Sequence, residues 1–470
     1  MRRGKSLFIT SLTGALLALL ASSVSAGEIG VCPPYSKTFG PEDPPESILG
    51  FIGELNARPG GGTLVLEPGT YSDISSPIAI SGVVCIRAEA PDEPAPELRA
   101  GFQVDPGASL TLRSCSTGYV TASEGALLFA QGAGLGNLSN AGSTYAEDTH
   151  FGSHVENTGV LIAIRGEISG GEDTALDNAG YAYLDGILII RTQWDYKGFG
   201  GRGIGNGAGG IVSLVRSTVA DNGYCCDWDK YCNPGDCGRG GIDNTEGGYV
   251  EIAQSIVANN SGGDCFGPIE DLGYNVFGPE GGCTVTTPTS IEEDPNFVVE
   301  DPEDNNWTGP ELGPGSPAID LIPLDLCPET DALGRPRTDG NGDGIVACDA
   351  GALEFAGTGI VVKSPPFARD YGLVDLSTDS ALYVVFMSSA ALDPATIDAY
   401  SVVLGETGAV PRASNLVDRN GDGVLDLRLR YKLKDVPLVC GEQTLTVSAV
   451  TTEGETVSGL LKLEVTGCPF

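Results

Sequence analysis

Two stretches of this chain align without a gap. Residues 203–222 read GIGNGAGGIVSLVRSTVADN and residues 241–260 read GIDNTEGGYVEIAQSIVANN. They share Gly, Ile, Asn, a Gly-Gly pair, Val, Ser, Val, Ala and the final Asn. A segment that repeats a short apolar run between Gly and Asn turns buries its face by stacking on the next copy. Weaker copies begin at Asn140-Ala-Gly, Asn157-Thr-Gly and Asn178-Ala-Gly, and the Asn spacings are 17, 21, 28 and 38. Gly107 and Gly125 each precede a further short apolar run. The pattern predicts a solenoid of parallel strands. The repeated Asn is expected in the left-handed turn conformation, hydrogen-bonded to its counterparts in the coils on either side.

Charge narrows the partners. Lys plus Arg is 26 and Asp plus Glu is 63, a formal net charge of −37. Nucleic acid and anionic lipid both call for a basic footprint, so neither is expected. Residues 1–26 read as a secretory signal: Arg2, Arg3 and Lys5, then the apolar run Leu12 to Leu20, then Val24-Ser25-Ala26. No second long apolar stretch follows, so no transmembrane segment is predicted. Without those residues 23 basic side chains face 63 acidic ones, a charge of −40. All 13 Cys lie after residue 26, and a secreted or cell-surface setting favours disulfides. Proximity pairs Cys265 with Cys283, Cys327 with Cys348, and Cys440 with Cys468; Cys85–Cys115 is plausible and leaves Cys32 over.

Glu46 to Asn56 carries Ile48, Phe51, Ile52 and Leu55 at helical spacing, and Gly60-Gly-Gly-Thr-Leu-Val-Leu-Glu-Pro-Gly-Thr-Tyr71 follows as a strand and turn. A helix there would cover the bare edge of the first coil. This pair resembles the opening of secreted right-handed parallel β-helix proteins of the pectin-lyase-like fold. Further on come Gln254 to Cys265, Leu272-Gly-Tyr-Asn-Val276, Asp294-Pro-Asn-Phe297, Pro314 to Asp320, Asp331-Ala-Leu-Gly-Arg-Pro-Arg337 and Cys348-Asp-Ala-Gly-Ala-Leu-Glu354. In that order they resemble the closing module of choice-of-anchor Q proteins of bacterial surfaces.

From about residue 357 the pattern becomes short alternating strands, such as Ala381-Leu-Tyr-Val-Val-Phe and Thr444-Leu-Thr-Val-Ser, which predict an immunoglobulin-like sandwich. The expected organisation is all-β. It comprises a signal at 1–26, an N-terminal cap at 27–59, a right-handed parallel β-helix at 60–300, a closing module at 301–356 and a β-sandwich at 357–470. The sandwich resembles a bacterial extracellular module with a DxNGDGxxDL loop.

That loop points to Ca²⁺. Asp418, Asn420, Asp422 and Asp426 stand at positions 1, 3, 5 and 9, and the Val424 carbonyl at position 7. Hard Ca²⁺ takes six to eight oxygens, and this spacing wraps them round one centre. Strands flank the loop, so it resembles the calcium loops of integrin β-propellers. A second loop offers Asp339, Asn341 and Asp343, with Ile345 at position 7 and Asp349 as a substitute for the missing later ligand.

Two insertions leave adjacent coils on the same side. One holds Trp194, Asp195 and Tyr196; the other holds Asp227, Trp228 and Asp229 among Cys225, Cys226, Cys232 and Cys237. Aromatic faces beside carboxylates suit sugar rings, so an extracellular glycan or surface component is the expected ligand. The four Cys are read as disulfides rather than a Zn²⁺ site. His150 and His154 lack the Glu of a zinc-protease motif. Asp173 and Asp177 could form a hydrolytic pair, but Asp177-Asn178 fits a rung of the turn ladder better. The expectation is a non-catalytic, calcium-stabilised binding or adhesion protein; the alternative is a polysaccharide lyase or glycoside hydrolase on the same scaffold.

Overall fold

The computed structural model describes residues 30–470, apart from 73, 75–76, 91–93, 171–173, 193–200, 224–238, 280, 298–309, 314, 342–344, 356–357, 360–361, 365–371, 378–379, 388–392, 406–408, 420–424, 437 and 469–470. The fold is all-β, a parallel β-helix followed by a β-sandwich. The chain forms two compact units. One holds the described residues up to Leu214 with Asp221–Glu251 and Asn260–Glu270; the other holds Val215–Ala220, Ile252–Asn259 and the chain from Asp271.

The first unit begins with the predicted helix, Pro45–Ala57, which buries Ile48, Phe51, Ile52 and Leu55. Pro45 suits the first turn, where its missing N–H costs nothing. The Phe51 ring lies 5.7 Å from that of Phe39 in strand Ser36–Phe39, which runs parallel to Gly62–Leu66. Asn56 completes the cover: its amide donates to the Ala79 carbonyl at 2.8 Å, and its Oδ1 accepts from the Ser81 and Gly82 amides. Gly61 is obligatory, because at φ +67° its Cβ would fall 1.8 Å from the Val83 carbonyl oxygen.

From there parallel strands stack coil on coil, with Val83–Ala88, Ser109–Arg113, Leu127–Gln131, Ser143–Phe151, Val160–Ser169 and Tyr181–Ile190 in unbroken register. A second column of strands ends on Asn140, Asn157, Asn178 and Asn206, and Asn244 directly follows the next strand, Ile242–Asp243. Each of the first four donates its Nδ2 to the Oδ1 of the next, at 2.8, 2.7, 2.9 and 2.9 Å. All five are buried. The ladder expected from the spacing is therefore present, but the backbone expectation is corrected: none of the five has positive φ. They close extended strands, which lets each amide reach straight along the stack. The left-handed residues form a different column, Ser114, Gly132, Asp148, Arg165 and Gly186, each just past the strand residues that pair through Arg113, Gln131, Glu147, Ile164 and Asp185.

In the second unit, Thr218–Ala220, Ile256–Ala258, Val276–Phe277 and Ile291–Glu292 pair in parallel. Arg216, Gln254 and Tyr274, again left-handed, each precede a residue of another polar column: the Ser217 amide donates to Ser255 Oγ, that of Ser255 to Asn275 Oδ1 and that of Asn275 to Ser290 Oγ. The closing motifs are structural. Gly351 donates to the Gln254 carbonyl and Ala352 to Thr218 Oγ1; a Cβ on Gly351 would stand 2.8 Å from Ile256. Asp331 accepts from the amides of Leu333, Arg335 and Glu354 and from Arg335 Nε, while Arg337 pairs with Glu354 at 2.7 Å. The motif charges thus satisfy one another inside the module, as buried charges must.

The sandwich has two sheets. Gly372–Asp375 and Gly441–Val450 flank Thr456–Thr466 in one; Ala381–Phe386 and Ala413–Val417 flank Asp426–Lys432 in the other. Leu382, Val384, Leu429 and Tyr431 bury themselves with Val447, Val457 and Leu461.

Cys327–Cys348 and Cys440–Cys468 are joined as expected, and Cys265 and Cys283 are both disulfide-bonded. The remaining expectation is corrected: Cys85 bonds Cys32, and Cys115 is free and buried. Thr63 pairs with Cys85 in register while its hydroxyl donates to the Pro33 carbonyl, so the entering chain brings Cys32 to Cys85.

Candidate functional site

One row of side chains faces outward from the strands that carry the Asn ladder. In register it runs Ser139, Glu156, Asp177, Gly205, Asp243 and Phe266. Neighbouring rungs lie roughly 4.8 Å apart. Gly205 interrupts the row and leaves a notch: a Cβ there would fall 2.6 Å from Asp177 Oδ1, so any side chain would have to push Asp177 aside. Arg202 reaches over the notch. Its Nη1 lies 3.2 Å from Asp243 Oδ2 and its Nη2 3.9 Å from Asp177 Oδ1, so one guanidinium spans carboxylates two coils apart. Arg239 donates to both oxygens of Asp243 at 3.1 Å, with its cation 5.4 Å from the Phe266 ring centre.

At the other end His154 Nδ1 lies 2.7 Å from the Thr174 carbonyl. A carbonyl only accepts, so Nδ1 carries the hydrogen and the opposite nitrogen faces Asp177 at 3.9 Å. Glu156 accepts from Ser139. Glu156, Asp177, Arg202 and Asp243 line a cleft of about 160 Å³ together with Thr158, Gly207 and Glu246. Asp177 and Arg202 are 43% and 37% exposed, so both can meet a ligand, whereas Asp243 at 8% is a fixed support. Burial pushes the Asp243 carboxyl up, but hydrogen bonds from Thr245 and Arg239 outweigh it and hold it below the usual carboxylate range. The Asn157, Asn178 and Asn206 amides on the floor are committed to the ladder. The cleft therefore presents planar donors and acceptors side by side, the arrangement that grips adjacent hydroxyl groups.

Of the residues singled out in the sequence, Asp177 lines this cleft, and His154 stands 3.9 Å from Asp177 beside it. Asp173 lies outside the described residues. His150 is elsewhere, 3.8 Å from Glu167. Arg202, Asp243 and Arg239 were missed. The gapless repeat already sets Gly205 opposite Asp243, which was the available signal.

Trp194, Asp195, Tyr196, Asp227, Trp228 and Asp229 lie outside the described residues. So do Asn420, Asp422 and Val424 of the first calcium loop and Asp343 of the second. At the first loop, register pairs Val417 with Asp426 and brings the loop's ends together; the buried Asp426 accepts from the Arg419 amide at 2.7 Å. At the second, the Asn341 amide donates to Asp320 Oδ2 while the Ile345 side chain is exposed. Asp339 is described, but no metal-sized cluster of three His, Cys, Asp or Glu occurs among the described residues. The two oxygens of Asp349 accept from the Asp320 and Phe355 amides. Burial, with Glu354 adding to it, holds its carboxyl well above the usual range.

No protein-family model, curated protein or solved structure matches this chain.

Proposed function

We propose that the protein is a secreted or surface-displayed binding protein that contacts an extracellular glycan through the solenoid, with Ca²⁺ stabilising its sandwich. The observation that carries this reading is the Arg202 cleft: a guanidinium and a carboxylate, both accessible, fixed across successive coils by a glycine notch and a second arginine. Such a pair accepts from and donates to one sugar diol at once. The inserted Trp194 and Trp228 loops would add aromatic contacts. The disulfides, with no helix long and apolar enough to cross a membrane among the described residues, are compatible with an extracellular protein. The resemblance to choice-of-anchor Q proteins supports a bacterial surface.

Hydrolysis is the second reading, and the two carboxylates beside the notch favour it. Asp243, held below the usual carboxylate range by its donors, fits only the ionised member of such a pair, which leaves the proton to Asp177, a carboxylate 3.9 Å from the Arg202 guanidinium. A glycan array followed by calorimetry decides. The parent is expected to bind, Arg202→Ala and Asp177→Ala to lose at least roughly tenfold in affinity, and no reducing ends to be released. Absence of binding by the parent, or equal binding by both variants, overturns the proposal. The calcium part predicts a lower Tm in EDTA and in Asp418→Ala; an unchanged melt with no heat of calcium binding refutes it.

A further inference from the structure

Basic residues are scarce in this chain, yet four of them stand together. Residues 425–435 read LDLRLRYKLKD. Leu427, Leu429, Tyr431 and Leu433 are buried in the sandwich core. A strand shows alternate residues to opposite faces, so Arg428, Arg430 and Lys432 share the outer face roughly 7 Å apart, and Lys434 continues the exposed series beyond the strand. Their neighbours across the sheet bring no negative charge. Tyr383 and Ala413 stand opposite Arg430, Ala381 opposite Lys432, and Asn415 opposite Arg428. Arg428 is laid along the sheet by its bond to Asn415 Oδ1 at 3.0 Å and by the Tyr383 ring 5.6 Å away. Beside the strip, Asp435 is matched to Arg412 at 2.7 Å, and its carboxylate also feels the charges of Lys432 and Lys434; one acidic side chain thus stands among five basic ones.

Folding does not ask for this. The core needs only the odd positions, and a row of like charges on one strand repels itself. The rest of the chain runs the other way, at a formal −37. From this we infer that the outer face of strand Asp426–Lys432 is a docking surface for a linear acidic polysaccharide. Charge complementarity selects an anion, and Arg430, Lys432 and Lys434, exposed and in line, suit an extended chain; the Arg428 end is more enclosed, since Val385 opposite it is buried. Thickness selects the polysaccharide over a second copy of the protein. At physiological ionic strength fields fade over about 8 Å, so a thin polyanion on this face feels mainly the strip, whereas a second copy arrives with its own large negative charge. The inference stands apart from the Arg202 cleft and does not depend on it. It gives the sandwich a task of its own, holding the protein to an anionic matrix while the solenoid stays free.

The test uses the full mature chain with calcium present, and dextran sulfate, hyaluronate and neutral dextran as probes in affinity electrophoresis. The parent is expected to be retarded by a polyanion and not by neutral dextran, with retardation falling as salt rises. Arg430→Gln/Lys432→Gln should weaken retention by roughly tenfold or more at an unchanged Tm, since both side chains are exposed. Arg202→Ala should bind the polyanion like the parent. Three results overturn the inference: a parent that ignores both polyanions, a double variant retained as strongly as the parent, or sedimentation showing a dimer that the double variant breaks while polyanion retention is absent.

Discussion

Replacing Asn178 by Ala removes the middle rung of the Asn ladder, and its cost can be built from the contacts. The Asn178 amide donates to Asn206 Oδ1 at 2.9 Å and to the Gly180 and Ile211 carbonyls at 3.1 Å each, and its oxygen accepts from Asn157 at 2.7 Å. Asn157 keeps the Tyr181 carbonyl as an acceptor, but Asn206 Oδ1 loses the donor from the coil below. Four bonds of the Asn178 side chain are lost, at a net of about 0.5–1 kcal/mol each, and Asn206 Oδ1 is left short at about 1 kcal/mol or more, which gives about 4 kcal/mol. A stacked array unfolds by parts, so hydrogen exchange resolved by segment is the right assay. A loss of about 4 kcal/mol appears as roughly a thousandfold faster exchange of the amides in 155–190. Asn140→Ala, which removes one ladder bond at the end of the column, should cost less. Because neighbouring rungs share a bond, Asn178→Ala with Asn206→Ala should cost less than the two singly. Protection within a factor of about five of the parent for Asn178→Ala, under 1 kcal/mol, or strict additivity of the pair, would refute the idea that the ladder holds the coils.

Asp271 offers a second test. One oxygen accepts from Gly273, Asn275 and Ser290 and the other from the Thr286 and Thr287 amides. Burial raises its carboxyl, but these donors outweigh it and leave it below the ordinary value. Its contribution is therefore full above the unfolded carboxylate range, near pH 4, and fades as pH falls through the lower folded value. Asp271→Ala should cost about 3–5 kcal/mol at neutral pH and flatten the acid limb of the stability curve, read by urea melts from pH 7 to pH 2. Cys115 gives the third. Burial pushes its thiol up to about 12, so a thiol reagent should find no reactive Cys in the native protein and one after unfolding without reductant, among the described cysteines. Rapid native labelling at Cys115 would contradict its placement.

How much of this was legible depended on whether the signal repeats. The solenoid, the capping helix and the Asn column each follow from spacing, because a period in sequence is a period in space. Cys327–Cys348 and Cys440–Cys468 were readable because short closures dominate there. Cys32–Cys85 was not, since its partners meet only after two strands have stacked. The left-handed column was hidden because Arg165, Arg216 and Gln254 carry no side-chain preference for that conformation; the stacking on either side imposes it. The Arg202 cleft was half visible: Asp177 attracted notice through its neighbours, whereas Arg202 meets Asp243 across 41 residues. The closing motifs were recognisable as a pattern, but their roles as mutual partners required the fold.

The Asn ladder has a direction. Every rung donates toward the later coil, and every rung after the first accepts from the earlier one. The column starts on the Thr144 hydroxyl, which donates to Asn140, and ends on the Gly248 and Pro268 carbonyls, which accept from Asn244. Both ends are thus closed by ordinary groups, and no rung depends on its position in the series. Coils of very different length enter the same column, since spacings of 17 and 38 residues serve equally. A whole coil is therefore a unit of growth. One could be duplicated or deleted between two asparagines with every amide still matched, and a lineage can lengthen the molecule or load a loop without redesigning its interior.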